Sequence, residues 1–123
     1  MHELSIAQSI VELAEEVATK EQAGSIQSID IEIGALSGVV TEALEFAMET
    51  IVKNTKLEKA KVNYLKIMGK AVCRVCQVQF ETDDLLALCP NCGKANFTIT
   101  DGKQLRIKSL HLRTPHEKLG QEY

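Results

Sequence analysis

Four cysteines carry the densest chemistry in this chain: CRVCQVQFETDDLLALCPNCGK places Cys73, Cys76, Cys89 and Cys92 in the pattern C-x2-C-x12-C-x2-C. Each C-x2-C pair can offer two thiolates from one tight turn, and the twelve intervening residues suffice for a short excursion and return. Four thiolates complete a closed tetrahedral shell for Zn(II), with no position left open for substrate. Gly93, directly after the second pair, permits a positive φ that aims backbone N–H groups at sulfur. The first pair has Gln77 at the matching position, so its turn is expected to be less ideal. The competing readings are a disulfide pair or a redox C-x2-C, and a reducing compartment argues against both. Such a closed site is structural and does not by itself make an enzyme.

The second candidate is the opening MHE. Initiator methionine is removed when the second residue is small; histidine is not, so Met1 is expected to stay and His2 to remain second. The Met1 amine, the backbone nitrogen of His2 and its imidazole Nδ1 can then chelate one metal in fused rings. The backbone nitrogen of Glu3 is placed to add a fourth donor. A planar field of nitrogens suits Ni(II) or Cu(II) rather than tetrahedral zinc, and the usual order of divalent affinities puts copper above nickel. Taken alone, a histidine at position two is more often an incidental surface residue. The remaining histidines are His111, which ends a strand-like stretch, and His116 in the tail.

No G-x4-G-K-[ST] phosphate cradle and no G-x-G-x-x-G turn occur in the sequence. All four cysteines are committed to metal, and no Ser/His/Asp set assembles, so catalysis by this chain is not expected. With 123 residues, 45% hydrophobic and 25% charged, the composition is that of an ordinary globular protein with one modest core and a satellite. No run of eighteen apolar residues exists, and SIAQSIVELAEEVATK is too acidic for a signal peptide. A cytoplasmic location is therefore expected. Charge is uneven: residues 1–60 hold four lysines and eleven acids, net −7, whereas residues 61–123 hold ten Lys/Arg and six acids, net +4.

These sites need elements to hold them. Residues 3–21 form an amphipathic helix: Ile6, Ile10, Leu13 and Val17 recur at helical spacing, flanked by Leu4, Ala7, Val11, Ala14 and Ala18, with Gly24 as a stop. SIDIEIG alternates Ile29, Ile31 and Ile33 with Asp30 and Glu32, the period of a strand with one wet face. GALSGV makes a turn, and Thr41 caps a second helix whose apolar face is Leu44, Ala47, Met48, Ile51 and Val52. KVNYLKIMG (61–69) and LRIKSLHL (105–112) supply two more strands, and RTPHEKLGQEY has little to bury and is expected to fray. The resulting fold class is α+β, with two helices on one face of a small three-stranded sheet and a zinc-ribbon-like lobe inserted before the last strand. Residues 1–68 with 104–123 then form one discontinuous domain and 69–103 the zinc-binding one, where Phe80 and Phe97 serve as a miniature core. A lobe this small needs its metal to fold; structural zinc contributes on the order of 10–16 kcal/mol in small zinc peptides.

MHELSIAQSIVE, the GALSGV turn followed by TEALEFAMET, and the paired C-x2-C…CPNCG together resemble the HypA/HybF family of hydrogenase nickel-incorporation proteins, over the whole chain up to the tail. The resemblance implies a nickel-binding domain of two helices and three strands beside a zinc domain. It implies that His2 binds nickel with the backbone nitrogens of Met1, His2 and Glu3, and that Cys73, Cys76, Cys89 and Cys92 bind zinc. It further implies a nickel metallochaperone that delivers Ni(II) to the large-subunit precursor of [NiFe]-hydrogenase, and in some organisms to urease, together with a partner GTPase. Some relatives are thought to use an extra zinc-domain histidine when docked to that partner, and this chain has none between His2 and His111. The alternative is a zinc-ribbon module binding nucleic acid or a transcription complex through the basic second half. Against it stand a pI near 5.6, scattered cations and few aromatics. A third reading makes the chain a structural adaptor with an incidental MHE. Neither membrane nor nucleic acid is expected as a partner.

Overall fold

A computed structural model describes residues 2–113; Met1 and the tail from Thr114 onward, including His116, lie outside the described residues. The elements follow in the order α1 (Glu3–Lys20), β1 (Ser25–Gly34), α2 (Thr41–Ile51), β2 (Lys61–Ile67), β3 (Gly69–Cys73), β4 (Gln79–Thr82), β5 (Phe97–Asp101) and β6 (Leu105–Arg113). They make two three-stranded sheets, β2-β1-β6 and β4-β3-β5. The class is the expected α+β, with two helices, small sheets and a four-cysteine cluster. The chain divides into two compact units: one takes the described residues up to Ile31, Val40–Tyr64 and the chain from Arg106, the other Glu32–Val39 and Leu65–Leu105.

In the first unit, Ile29, Ile31, Leu44, Met48 and Leu57 are essentially fully buried. Ile26 N–H donates to Lys56 O, ahead of β2, and Ala35 N–H to Ile67 O, at its end; both segments advance together, so β2 runs parallel to β1. A parallel neighbour requires a crossover, and α2 supplies it. Gly24 N–H to Arg113 O and Gly34 N–H to Gln104 O run the other way, so β6 lies antiparallel on the opposite edge. On the polar side of the sheet, Asp30 Oδ1 accepts from Asn63 Nδ2 (2.8 Å) and Oδ2 from Ser109 Oγ (2.5 Å), so one central carboxylate ties both neighbouring strands.

Three local expectations are corrected. In α1 the buried stripe is Ala7, Ile10, Val11, Ala14 and Ala18, whereas Leu4, Leu13 and Val17 are 53%, 52% and 40% exposed. Small alanines let a helix approach its neighbours closely, and α1 packs on α2. The stop of α1 is not Gly24 but Gln22, at φ 59; the Gln22 N–H bonds Thr19 O and the Ala23 N–H bonds Ala18 O, closing the helix. Thr41 is the first residue of α2 rather than its cap: the N-cap is Val40, with no side-chain cap bond.

The second unit is built on β3, paired antiparallel with β4 (Ala71↔Phe80) and β5 (Cys73↔Phe97), with an irregularity between Lys70 and Ala71. Phe80 and Phe97 meet edge to face at 5.6 Å and 77°, as expected of the lobe's miniature core. Where the chain passes into and out of β3–β5, three glycines cross. A Cβ on Gly34 would lie 2.1 Å from Gly102 O, one on Gly69 2.2 Å from Thr82 O, and one on Gly102 2.4 Å from Gly69 Cα. Only glycine permits this backbone contact.

Candidate metal centre

The four-cysteine site is made of two matching turns. Cys73 opens the first at the end of β3: Gln77 N–H donates to Cys73 O, Cys73 N–H donates to Val78 O, and Gln77 takes φ 67. Cys89 opens the second: Gly93 N–H donates to Cys89 O, Cys89 N–H donates to Lys94 O, and Gly93 takes φ 76. Gln77 thus adopts the glycine-like conformation, and the first turn is as regular as the second. In each, two backbone N–H groups aim at the first sulfur: Val75 and Cys76 at Cys73 Sγ (3.4 and 3.5 Å), Asn91 and Cys92 at Cys89 Sγ (3.4 and 3.5 Å). Such donors stabilise a thiolate.

The turns face each other so that Cys73 Sγ lies 3.6 Å from Cys92 Sγ and Cys76 Sγ 3.6 Å from Cys89 Sγ. All four sulfurs fall within 4.8 Å of one another. Zinc with four sulfurs at about 2.3 Å holds them about 3.8 Å apart, so the spacing fits a tetrahedral ion. A disulfide needs about 2.05 Å, and all four thiols are free.

Their acidities are unequal. The Asn91 side chain, the Val78 backbone N–H and the neighbouring thiols pull Cys76 down to about 6. The Cys73 thiol is also lowered, first by the Cys76 N–H. For Cys92, the Lys94 N–H acts to lower it, but burial and the three other sulfurs outweigh this and push it up to about 11. Four thiolates this close cannot all ionise beside one another unaided; a bound dication would supply the missing charge. Asn91, between the cysteines of the second pair, is a contributor that reasoning from spacing did not single out. Arg74 is another: its side chain donates to Thr98 Oγ1 (2.8 Å) and Asn96 Oδ1 (3.2 Å), tying the first turn to β5 and the segment before it.

The opening residues are arranged differently. His2 is exposed and sits at the N-cap of α1 (φ −89, ψ 91), where a serine or aspartate would usually cap; its own side chain makes no capping bond. The first helical bond runs from Ile6 N–H to His2 O (3.2 Å), so the backbone N–H groups of residues 2 and 3 have no partner within the helix. The Glu3 carboxylate accepts from Val40 N–H at 3.2 Å, and this bond, followed by one from Glu3's own backbone N–H, holds its pKa below the ordinary value. His111 lies on β6, 61% exposed, with Nε2 4.0 Å from Asp30 Oδ2. Among the described residues the four cysteines are the cluster of potential metal donors, and neither His2 nor His111 joins such a cluster. No helix among the described residues is long and apolar enough to cross a membrane.

Comparison with known proteins matches these features to one family. The family model described as "Hydrogenase/urease nickel incorporation, metallochaperone, hypA" matches residues 1–112. A hydrogenase maturation factor HypA of Parabacteroides distasonis is 44% identical over 113 residues, covering 92% of this chain and 98% of that protein. One from Psychromonas ingrahamii is 38% identical over 112 residues, covering 91% and 98%. The solution structure of the nickel metallochaperone HypA from Helicobacter pylori superposes with a TM-score of 0.65 at 28% identity, covering 93% of this chain and 99% of that one. The nucleic-acid alternative finds no support among these relatives. With a family model spanning nearly all of its length and relatives at this identity, the chain belongs to the HypA family of hydrogenase and urease nickel-incorporation metallochaperones.

Proposed function

We propose that this protein is a nickel metallochaperone for [NiFe]-hydrogenase maturation that carries Ni(II) at its N-terminus and zinc in its four-cysteine lobe. The observation that carries this reading, beside the family, is the exposed His2 at an uncapped helix start. Deprotonated amides of residues 2 and 3 can bind metal there without breaking a helical hydrogen bond. The positive end of the α1 dipole favours the negative charge that such nitrogens acquire. With the Met1 amine and the His2 imidazole they complete a planar nitrogen set suited to nickel. Exposure also favours release, since an acceptor protein can reach the ion and exchange ligands stepwise.

In this reading Cys73, Cys76, Cys89 and Cys92 hold zinc as a permanent cross-link, 69–103 is the zinc-binding domain, and 1–68 with 104–123 is the nickel-binding one. The protein acts without catalysis of its own, in the cytoplasm. A GTPase nickel-insertion factor supplies the energy of nucleotide hydrolysis, and the hydrogenase large-subunit precursor, or a urease, receives the ion. Titration of the zinc-loaded protein with Ni(II) tests this. His2→Ala should abolish the N-terminal site with little change in melting temperature, whereas His111→Ala should bind nearly normally. Full nickel affinity in His2→Ala overturns the reading.

A further inference from the structure

The Glu3 side chain bears on how the N-terminal site is held. Val40, the N-cap of α2, accepts from Leu44 N–H (3.0 Å) through its carbonyl, but its own N–H lies outside the helical ladder. Such an N–H is commonly satisfied by a Glu or Gln three residues into the same helix. That position here is Ala43, which has no acceptor to offer. The Glu3 carboxylate takes its place from 37 residues away. Glu3 is also the acidic residue in the first turn of α1. One carboxylate therefore serves the positive ends of both helices.

We propose that Glu3 is the positioning residue of the nickel site, its side chain clamping the opening of the chain to the Val40 N–H so that its own backbone nitrogen and that of His2 are held in place for the metal. The inference rests on the nickel reading above and gives Glu3 two separate tasks. Its backbone nitrogen is a ligand; its carboxylate, which accepts from Val40 N–H and from Glu3's own N–H, is not, and it keeps only the Val40 bond once the Glu3 amide gives up its proton to the metal. Clamping one member of a chelate reduces the freedom lost when the ring closes, so affinity rises without a new metal bond.

The test uses the zinc-loaded full chain with a free N-terminus, titrated with Ni(II) while the d–d spectrum is recorded. Glu3→Ala should weaken nickel by roughly threefold to tenfold, the worth of one hydrogen bond, with the band positions unchanged. Glu3→Gln keeps an acceptor oxygen and should restore most of the affinity. Val40→Pro deletes the donor instead; the native φ of −85 is close to what proline adopts, and the Val40 carbonyl stays free for Leu44. It should reproduce the loss, and the Glu3→Ala/Val40→Pro double variant should be no weaker than either single one. A shifted spectrum in Glu3→Ala, a Glu3→Gln variant as weak as Glu3→Ala, or fully additive losses would overturn the clamp. So would nickel binding indifferent to all these changes, while leaving the nickel reading intact. Absence of N-terminal nickel binding in the unaltered protein overturns both.

Discussion

At the scale of single residues, the properties that matter are those of groups freed from their ordinary duties. His2 stands where a capping side chain would, and caps nothing. If the N-terminal amine is a ligand, a Gly-Ser extension before Met1 turns it into an amide and leaves the imidazole in place. Nickel affinity should then fall by at least roughly tenfold, with loss or shift of the planar Ni(II) absorption and with zinc content unchanged. Equal affinity in the extended protein would remove the amine from the ligand set. Tyr64 makes a separate case. Burial, then the carboxylates of Glu45 and Glu49, push its phenol up to about 12. The folded chain thus holds this proton more tightly than the unfolded one. Its contribution to stability is complete below about pH 10 and is lost as the pH rises toward about 12. Ultraviolet phenolate titration should show a late component that Tyr64→Phe removes.

At the scale of elements, the metal turns show how conformation and sequence share the work. Gly93 has open space around a built Cβ, so its only demand is φ 76. Gly93→Ala should therefore cost about 1 kcal/mol, or roughly fivefold in zinc affinity, through the left-handed backbone alone. Gln77 bears that strain already, at φ 67. Gln77→Gly should tighten zinc by a smaller factor, because glycine also loosens the unfolded chain. Competition with a chromophoric chelator reads both effects, and equal affinities throughout would show that the turn geometry does not limit binding. The same local logic explains three overlooked strands. GKAVC, QFET and FTITD form β3, β4 and β5, but each is too short to stand out until the three lie side by side.

At the scale of the molecule, both helices belong to one unit and all four cysteines to the other. If the four cysteines hold zinc as proposed, its removal by a strong chelator or by Cys89→Ser should therefore disorder β4-β3-β5 while most of the helical circular dichroism persists. Collapse of both signals together would show that the helices depend on the metal. The elements and candidate ligands legible in the sequence are those specified by local chemistry. Ile29, Ile31 and Ile33 alternate because a strand has two faces, and Cys73, Cys76, Cys89 and Cys92 are spaced as two tight turns require. The family resemblance of MHE and CPNCG is local in the same sense. The tertiary structure decided what depends on neighbours remote in sequence. The alanine stripe of α1 is buried in place of Leu13 and Val17, because which side of a helix is covered depends on the elements packed against it. Cys73 meets Cys92 and Cys76 meets Cys89, because β3 and the second turn close on each other. Gly34, Gly69 and Gly102 converge only where three passes of backbone cross. The Glu3–Val40 bond spans 37 residues, and no periodicity could reveal it, because it exists only once the two helix starts have been brought together.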